Sequence, residues 1–101
     1  MVGQLRTYTI NKGMMESWLK LFNEELIPRV KDAGMGIQTV WINEEQTQFI
    51  WIRTFNSKDE IEEKEAAFYG TDWWEKNVDF IRGHHAHREI VLIEPILPNG
   101  A

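Results

Sequence analysis

The sequence predicts an α+β domain in which one four-stranded antiparallel sheet carries helices on one face. Two observations support this prediction: the periodic segments follow the order β-α-β-β-α-β, and a short polar stretch of hairpin length separates the two middle strands. The chain has 101 residues, 43% of them hydrophobic, which suits one modest core. We therefore predict a single domain over residues 1–101, with a flexible tail at 97–101.

The first strand and helix follow from a change in hydrophobic period. Residues 4–10, QLRTYTI, alternate and are rich in residues that favour strands. From Met14 to about Ala33, apolar residues recur at helical spacing, which predicts a long amphipathic helix. Pro28 should bend or weaken its last turns because proline lacks an amide donor, and Gly34 should end it.

The middle of the chain predicts a hairpin followed by a second helix. Residues 36–43 and 47–55 are two strand-like runs joined by EEQ, so they should pair antiparallel. Ser57 and Glu60 have the spacing of a capping box, in which a hydroxyl and a carboxylate satisfy free amides at a helix start. The helix should therefore begin at Ser57 and end at Gly70.

The last third predicts a shorter helix and the final strand. Thr71 can cap a helix that Gly83 closes, and residues 84–96, HHAHREIVLIEPI, are rich in β-branched residues. The complete order matches the ferredoxin-like arrangement, in which the helices lie on one face of the sheet.

Both faces of the predicted sheet are apolar. In the third strand Phe49 and Trp51 point to one side, and Ile50 and Ile52 point to the other, so the helices can cover only one pair. If the aromatic pair and Trp41 stayed in water, about 600 Å² would be exposed, worth roughly 15 kcal/mol at about 25 cal/mol/Å². Because association costs roughly 4 to 15 kcal/mol, a second copy of the sheet can be the cover. We therefore predict a homodimer whose sheets pack face to face and approximate a barrel.

Composition narrows the partners and the location. The net charge is −5 and the basic residues are scattered, which disfavours binding to nucleic acid. The lack of cysteine excludes disulfides and thiolate chemistry and suits a reducing compartment. No apolar run approaches the roughly 20 residues that cross a bilayer, and no leader is evident, so we expect a cytoplasmic protein without a membrane partner.

Three segments resemble the NIPSNAP family, namely QLRTYTINKG (4–13), FIWIRTF (49–55) and AAFYGTDWWEK (66–76). The resemblance extends from about Gln4 to Pro95. It implies a dimeric α+β barrel, in agreement with the burial estimate, and it supplies no settled catalytic residues. Wider relatives of this barrel include antibiotic-biosynthesis monooxygenases, haem-degrading enzymes and muconolactone isomerases, so the fold alone does not select a reaction.

Charged and imidazole side chains in the strands are candidates for a site. Arg6 and Arg53 could hold the carboxylate or phosphate of a small ligand, or they could pair with Glu89 or a helix carboxylate. His85 and His87 are expected to share a strand face, where they could act as acid or base. A metal site would need a further ligand, so ordinary histidines are favoured and neither a metal nor a cofactor is predicted.

Aromatic rings from the helical segments should converge on the helix-covered face of the sheet. There they can fill a core or line a pocket for a flat ligand, in which a buried phenol needs a hydrogen-bond partner. The acidic run 59–65 predicts a solvated helix face. The predicted ligand-binding residues are Tyr8, Trp18, Trp51, Arg53, Tyr69, Trp73, His85 and His87.

Three functions remain open from the sequence. The first is a homodimer that binds a small hydrophobic or aromatic molecule between sheet and helices. The second is a cofactor-independent monooxygenase or isomerase that uses Tyr8, Trp51, His85 or His87. The third is a protein-interaction module without a small-molecule site. No nucleophile elbow and no glycine-rich phosphate loop occur, which disfavours hydrolase and nucleotide chemistry.

Overall fold

The computed structural model describes residues 1–97 and contains the elements in the predicted order. The strands are β1 (Val2–Ile10), β2 (Gly36–Ile42), β3 (Gln48–Phe55) and β4 (His85–Ile93). The first helical region consists of α1 (Met15–Leu21), a π-helical turn (Phe22–Leu26) and α2 (Ile27–Asp32). The second consists of a 3₁₀ turn (Lys58–Glu60), α3 (Ile61–Tyr69) and α4 (Asp72–Arg82).

The strands form one antiparallel sheet in the order β2-β3-β1-β4, so β1 and β3 are central. This order confirms the predicted ferredoxin-like fold. The predicted hairpin between β2 and β3 is confirmed as well. Its connection is stabilised by Asn43, whose Oδ1 accepts from the backbone amides of Thr47 and Gln48 at 2.8 Å each.

The helices cover the face of the sheet that carries the aromatic residues of β3. Phe49 is 0% exposed and Trp51 is 3% exposed. The ring of Phe22, in the π-helical turn, lies 4.7 Å from the ring of Phe49 and 5.0 Å from that of Trp51. The helix-covered face of the sheet therefore holds the aromatic core, and the isoleucines of β3 lie on the other face.

Trp41 does not share a face with Phe49 and Trp51, and this part of the prediction is wrong. The register between β2 and β3 shifts between Ile37 and Val40, as at a β-bulge. Because one extra residue reverses the side-chain alternation downstream, Trp41 pairs with Ile50 and is 62% exposed on the helix-free side.

The side of the sheet that carries no helix, here called the open face, is apolar at its centre. Leu5 of β1 lies between Ile52 of β3 and Val91 of β4. The uncovered apolar side that the strand pattern predicts is therefore present, but it is built from aliphatic residues and Trp41. The apolar residues of the open face are Leu5, Trp41, Ile50, Ile52, Val91 and Ile93.

Pro28 perturbs the first helical region, as predicted. It stands in the first turn of α2, directly after the π-helical turn Phe22–Leu26. Because proline has no amide hydrogen, the backbone bond at this position cannot form, and the wider turn absorbs the interruption without ending the helix. Gly34 follows α2 with φ of +87°, a conformation in which other residues are strained.

The two predicted helix caps have different outcomes. Thr71 caps α4 as expected, since its hydroxyl accepts from the amide of Trp74 at 3.1 Å. The Ser57 hydroxyl makes no capping bond, and the chain enters α3 through the 3₁₀ turn. The carboxylate of Glu60 instead accepts from the amide of Asn56 at 3.0 Å, so the predicted capping box is wrong.

Several expectations concern the whole chain. The predicted flexible tail lies outside the described residues except for Leu97, and the single domain over residues 1–101 stays a prediction. None of the helices within residues 1–97 is long and apolar enough to cross a membrane.

The unequal caps can be tested by a pair of substitutions. Thr71→Ala should lower the free energy of unfolding by about 1 kcal/mol, because the amide of Trp74 loses its acceptor. Ser57→Ala should change it by less than about 0.5 kcal/mol, since Ser57 is exposed and does not cap. Urea unfolding followed by circular dichroism measures both. An equal loss in the two variants would contradict the assignment.

Candidate functional site

A cavity lies between the helix-covered face of the sheet and the helices. Its volume is about 30 Å³. Its lining combines aromatic rings in edge-to-face or tilted contact and aliphatic side chains with arginines, and none of the lining residues within 1–97 is acidic. The rings belong to Tyr8, Trp18, Trp51, Phe68, Tyr69, Trp74 and His85, and the arginines are Arg6, Arg53, Arg82 and Arg88.

Six of the eight predicted ligand-binding residues line this cavity, and two do not. The six are Tyr8, Trp18, Trp51, Arg53, Tyr69 and His85. Trp73 lies outside it, where the Arg29 guanidinium stacks on its ring at 3.9 Å, and Trp74 takes its place in the lining. The two side chains point in directions about 100° apart around α4, and Trp74 is the one that faces the cavity.

His87 is the second residue outside the cavity. The register between β1 and β4 shifts between Thr9 and Ile10, so that Ile10 pairs with His85 and Thr9 pairs with His87. This bulge places His85 on the helix-covered face and His87 on the open face. The expectation that the two imidazoles share a face is wrong, and they cannot chelate one ion.

Arg53 is held by an ion pair and hydrogen bonds. The residue is 1% exposed, and its guanidinium donates to the Glu65 carboxylate at 2.7 Å and to the Tyr69 hydroxyl at 3.2 Å. It also donates to Gln4 Oε1 at 2.8 and 3.1 Å. Of the two partners expected for this arginine, the helix carboxylate is correct, and Glu89 lies opposite Thr7 on the open face.

Glu65 corrects the expectation that the acidic run 59–65 is wholly solvated. It lies four residues after Ile61 and three before Phe68, so all three share the inward face of α3. The helical period therefore brings this carboxylate to Arg53, while Glu62 and Glu63 remain exposed.

Arg6 is buried without a carboxylate partner. Its Nε donates to the Tyr8 hydroxyl at 2.7 Å and its Nη1 to Gln4 Oε1 at 2.9 Å. No acidic group within residues 1–97 comes within ion-pair distance of it. Burial alone lowers the pKa of Arg6, but Tyr8, Tyr69 and Glu65 outweigh burial and raise the pKa above its ordinary value. Arg6 is therefore a permanent buried cation.

His85 is an unpaired imidazole among rings. Its ring centroid lies 4.4 Å from that of Tyr8 and 4.5 Å from that of Trp18. Burial lowers its pKa to about 4, with further contributions from Arg88 and other cations. It is therefore neutral at pH 7, with one nitrogen that donates and one that accepts. Both nitrogens are buried without a partner among the described residues.

Two indole nitrogens of the lining are also buried without a hydrogen-bond partner among the described residues. Nε1 of Trp18 and Nε1 of Trp51 are buried, and neither has an acceptor in the described part of the chain. Buried polar atoms are normally paired with protein or water. The cavity is therefore surrounded by hydrogen-bond donors that the protein itself does not use.

His84, the first residue of the histidine run, has a structural role. It is fully buried, and its Nδ1 lies 2.9 Å from the carbonyl oxygen of Phe80, so Nδ1 donates. Its Nε2 therefore accepts from the hydroxyl of Ser17 at 2.8 Å. This imidazole joins α1 to the end of α4.

Gln4 and Arg88 are two members of the site that the sequence patterns do not predict. Gln4 shares the alternation of Arg6 and Tyr8, so a strict period of two from Arg6 would have placed it beside them. Arg88 lies opposite Tyr8, but its face depends on the bulge at the start of β4.

The geometry and the comparisons with known proteins agree on the class of protein. Among solved structures, an uncharacterized NIPSNAP domain protein from Burkholderia xenovorans matches with a TM-score of 0.86 at 17% identity, covering 98% of this chain and 100% of that one. A NIPSNAP family protein from Agrobacterium tumefaciens matches with a TM-score of 0.87 at 20% identity, covering 97% of each chain. A putative antibiotic biosynthesis monooxygenase from Nitrosomonas europaea matches at 0.70 and 12% identity, covering 96% and 100%. The fold is thus that of the ferredoxin-like α+β proteins.

The family can be stated as well. The NIPSNAP family model matches residues 3–96, so this chain belongs to the NIPSNAP family. The resemblance predicted from residues 4–95 is confirmed. The search of curated proteins finds no match.

The ion pair of Arg53 can be tested on one helix. Glu65→Gln should lower the free energy of unfolding by about 1 to 2 kcal/mol, because a buried guanidinium loses its counter-charge. Glu62→Gln, on the exposed face of α3, is the matched control and should change it by less than about 0.5 kcal/mol. Denaturant titrations at pH 7 measure the difference. Equal values would show that the pair adds no stability.

The burial of His85 predicts a dependence of stability on pH. In the unfolded chain the imidazole binds a proton near its ordinary pKa of 6.5, whereas in the folded chain it does so only near 4. Stability should therefore fall as pH falls from about 6.5 to about 4. His85→Gln should lose stability less steeply in this range. Unfolding curves at half-unit pH steps measure the slopes, and identical slopes would contradict the assignment.

Proposed function

We propose that this chain is a homodimeric NIPSNAP protein that binds a small hydrophobic or aromatic molecule in the cavity between sheet and helices. The observation that carries the proposal is the set of unpaired buried polar atoms in the lining residues Trp18, Trp51 and His85. An ordinary core pairs such atoms or excludes them, because an unsatisfied buried group is costly. Apolar walls with a few polar atoms are the usual composition of a ligand pocket.

The size of the cavity sets a condition on binding. A volume of 30 Å³ accommodates about two water molecules, at roughly 10 to 15 Å³ each. An aromatic ring needs more, since a cavity that binds benzene measures about 150 Å³. The half-buried members of the lining are Tyr69, Trp74 and His85, and of these Tyr69 and Trp74 lie on the helices, so they are the side chains that must move outward. Ligand binding would then replace ring-to-ring contacts with ring-to-ligand contacts.

The homodimer is supported by the open face. Trp41 is 62% exposed. If its whole side chain has a surface of about 250 Å², roughly 150 Å² of it lies in water. The aliphatic row from Ile52 through Leu5 to Val91 adds to this surface. Contiguous apolar areas of several hundred Å² mark interaction sites, and a two-fold axis allows the same surface to cover itself.

The enzyme hypothesis is kept as a second candidate because of one contact. The Tyr8 hydroxyl receives a hydrogen bond from Arg6 at 2.7 Å, and its ring contacts the neutral imidazole of His85 at a tilt of 32°. A phenol beside a free imidazole nitrogen can exchange a proton with a bound substrate, although a pKa of about 4 makes His85 a weak base at pH 7. Oxygen consumption with phenolic substrates tests for turnover, and no turnover in the parent protein would refute the candidate for that class.

The cavity can be tested by filling it. Leu26 lines the cavity, so Leu26→Phe should reduce binding of small aromatic probes such as phenol and benzoate at least tenfold by occupying their space. Leu19→Phe makes the same change outside the lining and should bind as the parent does. Quenching of tryptophan fluorescence measures binding, and circular dichroism checks the fold. If the parent binds neither probe, the proposed function is wrong.

The open face can be tested by introducing one charge. Ile52→Asp should convert a dimer to a monomer at micromolar concentration, because the interface would bury an unpaired carboxylate. Phe80→Asp, on α4 and 59% exposed, is the control and should leave the dimer intact. Sedimentation velocity distinguishes the two states. A monomeric parent protein would refute the homodimer.

A further inference from the structure

The two buried arginines of the central strands share too few acceptors. Arg6 and Arg53 both donate to the single amide oxygen of Gln4, at 2.9 Å from Arg6 Nη1 and at 2.8 and 3.1 Å from Arg53. Among residues 1–97, Glu65 provides the one carboxylate within ion-pair distance of either arginine, and it contacts Arg53. The site therefore contains two positively charged guanidinium groups and one negatively charged carboxylate, which leaves an excess positive charge.

The excess charge belongs to Arg6. A guanidinium has five N–H donors, and the described residues accept two of those of Arg6, one at Tyr8 and one at Gln4. It is only 4% exposed, so bulk water does not hydrate it freely. A buried charge without a counter-charge is expensive, and proteins usually pair it.

The rest of the lining also lacks anions. The cavity has two further arginines, the exposed Arg82 and Arg88, and none of its lining residues within 1–97 is acidic. The indole nitrogens of Trp18 and Trp51 can only donate, and neither has a partner in the part of the chain that the structure describes. The whole chain carries a net charge of −5, so the positive charge of this cavity is opposite in sign to that of the protein as a whole.

We infer that the molecule bound in this cavity is an anion, namely a flat aromatic carboxylate whose carboxylate pairs with Arg6 and whose ring lies against Tyr8, Trp18 and Trp51. The inference rests on the proposed binding function and adds the chemical class of the ligand. A carboxylate is favoured over a phosphate because it is planar and small, which suits a narrow space between rings, and it matches the guanidinium fork with two parallel hydrogen bonds. The carboxylate supplies the counter-charge and the acceptors that Arg6 lacks.

The inference predicts discrimination between an acid and its neutral amide. Benzoate and benzamide have almost the same shape, as have 2-naphthoate and 2-naphthamide. The acid of each pair should bind roughly 10- to 100-fold more tightly at pH 7, because the amide leaves the Arg6 cation uncompensated. Calorimetric titration measures the four affinities, and inorganic phosphate is included as a competitor.

The assignment to Arg6 is tested by matched substitutions. Arg6→Gln removes the charge and should bring the affinity ratio of acid to amide close to one while the amide still binds. Arg29→Gln removes an arginine that pairs with Glu25 outside the cavity, and it should keep the ratio of the parent. If Arg6→Gln does not fold, Arg6→Lys keeps the charge but not the fork, and it should lower the affinity for the acid at least severalfold.

Each outcome decides between the inference and the function on which it rests. Equal binding of acid and amide would leave the cavity as a binding site and overturn the anion inference. If inorganic phosphate competes with an affinity equal to that of benzoate, the site binds oxyanions in general and does not select an aromatic carboxylate. If the affinity ratio of acid to amide stays at the parent value in Arg6→Gln, the anion does not bind at Arg6. If none of the four probes binds, the proposed function fails together with the inference.

Discussion

The structure depends on one constraint, which is that β1 and β3 bury polar and aromatic side chains in the same layer beneath the helices. Arg6 and Arg53 lie on the same face of the sheet as Trp51, and water cannot reach them freely. The amide of Gln4 and the carboxylate of Glu65 are needed to hold these charges. α3 must therefore present an acidic residue to the sheet, so the charges of the strands determine the rotation of the helix.

Most of the fold can be predicted from local patterns, because the strands and helices of this chain have clear periods and clear ends. Gly70, Thr71 and Gly83 mark helix boundaries that the structure reproduces. The errors in the strands originate in two register shifts, one in β2 and one at the start of β4. A bulge is a property of a pair of strands, and the sequence of one strand does not reveal it. Trp41 and His87 were therefore expected on the wrong faces.

The site was predictable to the extent that it follows strand alternation. Tyr8, Trp51 and Arg53 face the cavity because a period of two places them there. The role of Glu65 was missed because an acidic run on a helix is usually solvated, and only its spacing from Phe68 indicates that it turns inward. The deficit of acceptors around Arg6 could not be predicted, since it depends on distances between side chains from β1, β3 and α3.

The position of His84 constrains how the cavity can widen. Its imidazole ties Ser17, near the start of α1, to the carbonyl of Phe80, near the end of α4. The opposite end of α4, which carries Trp74, and the end of α3, which carries Tyr69, have no such tie to α1 among the hydrogen bonds of the described residues. If the proposed ligand enters the cavity, the start of α4 and the end of α3 should therefore move away from α1 more readily than the end of α4, which His84 holds.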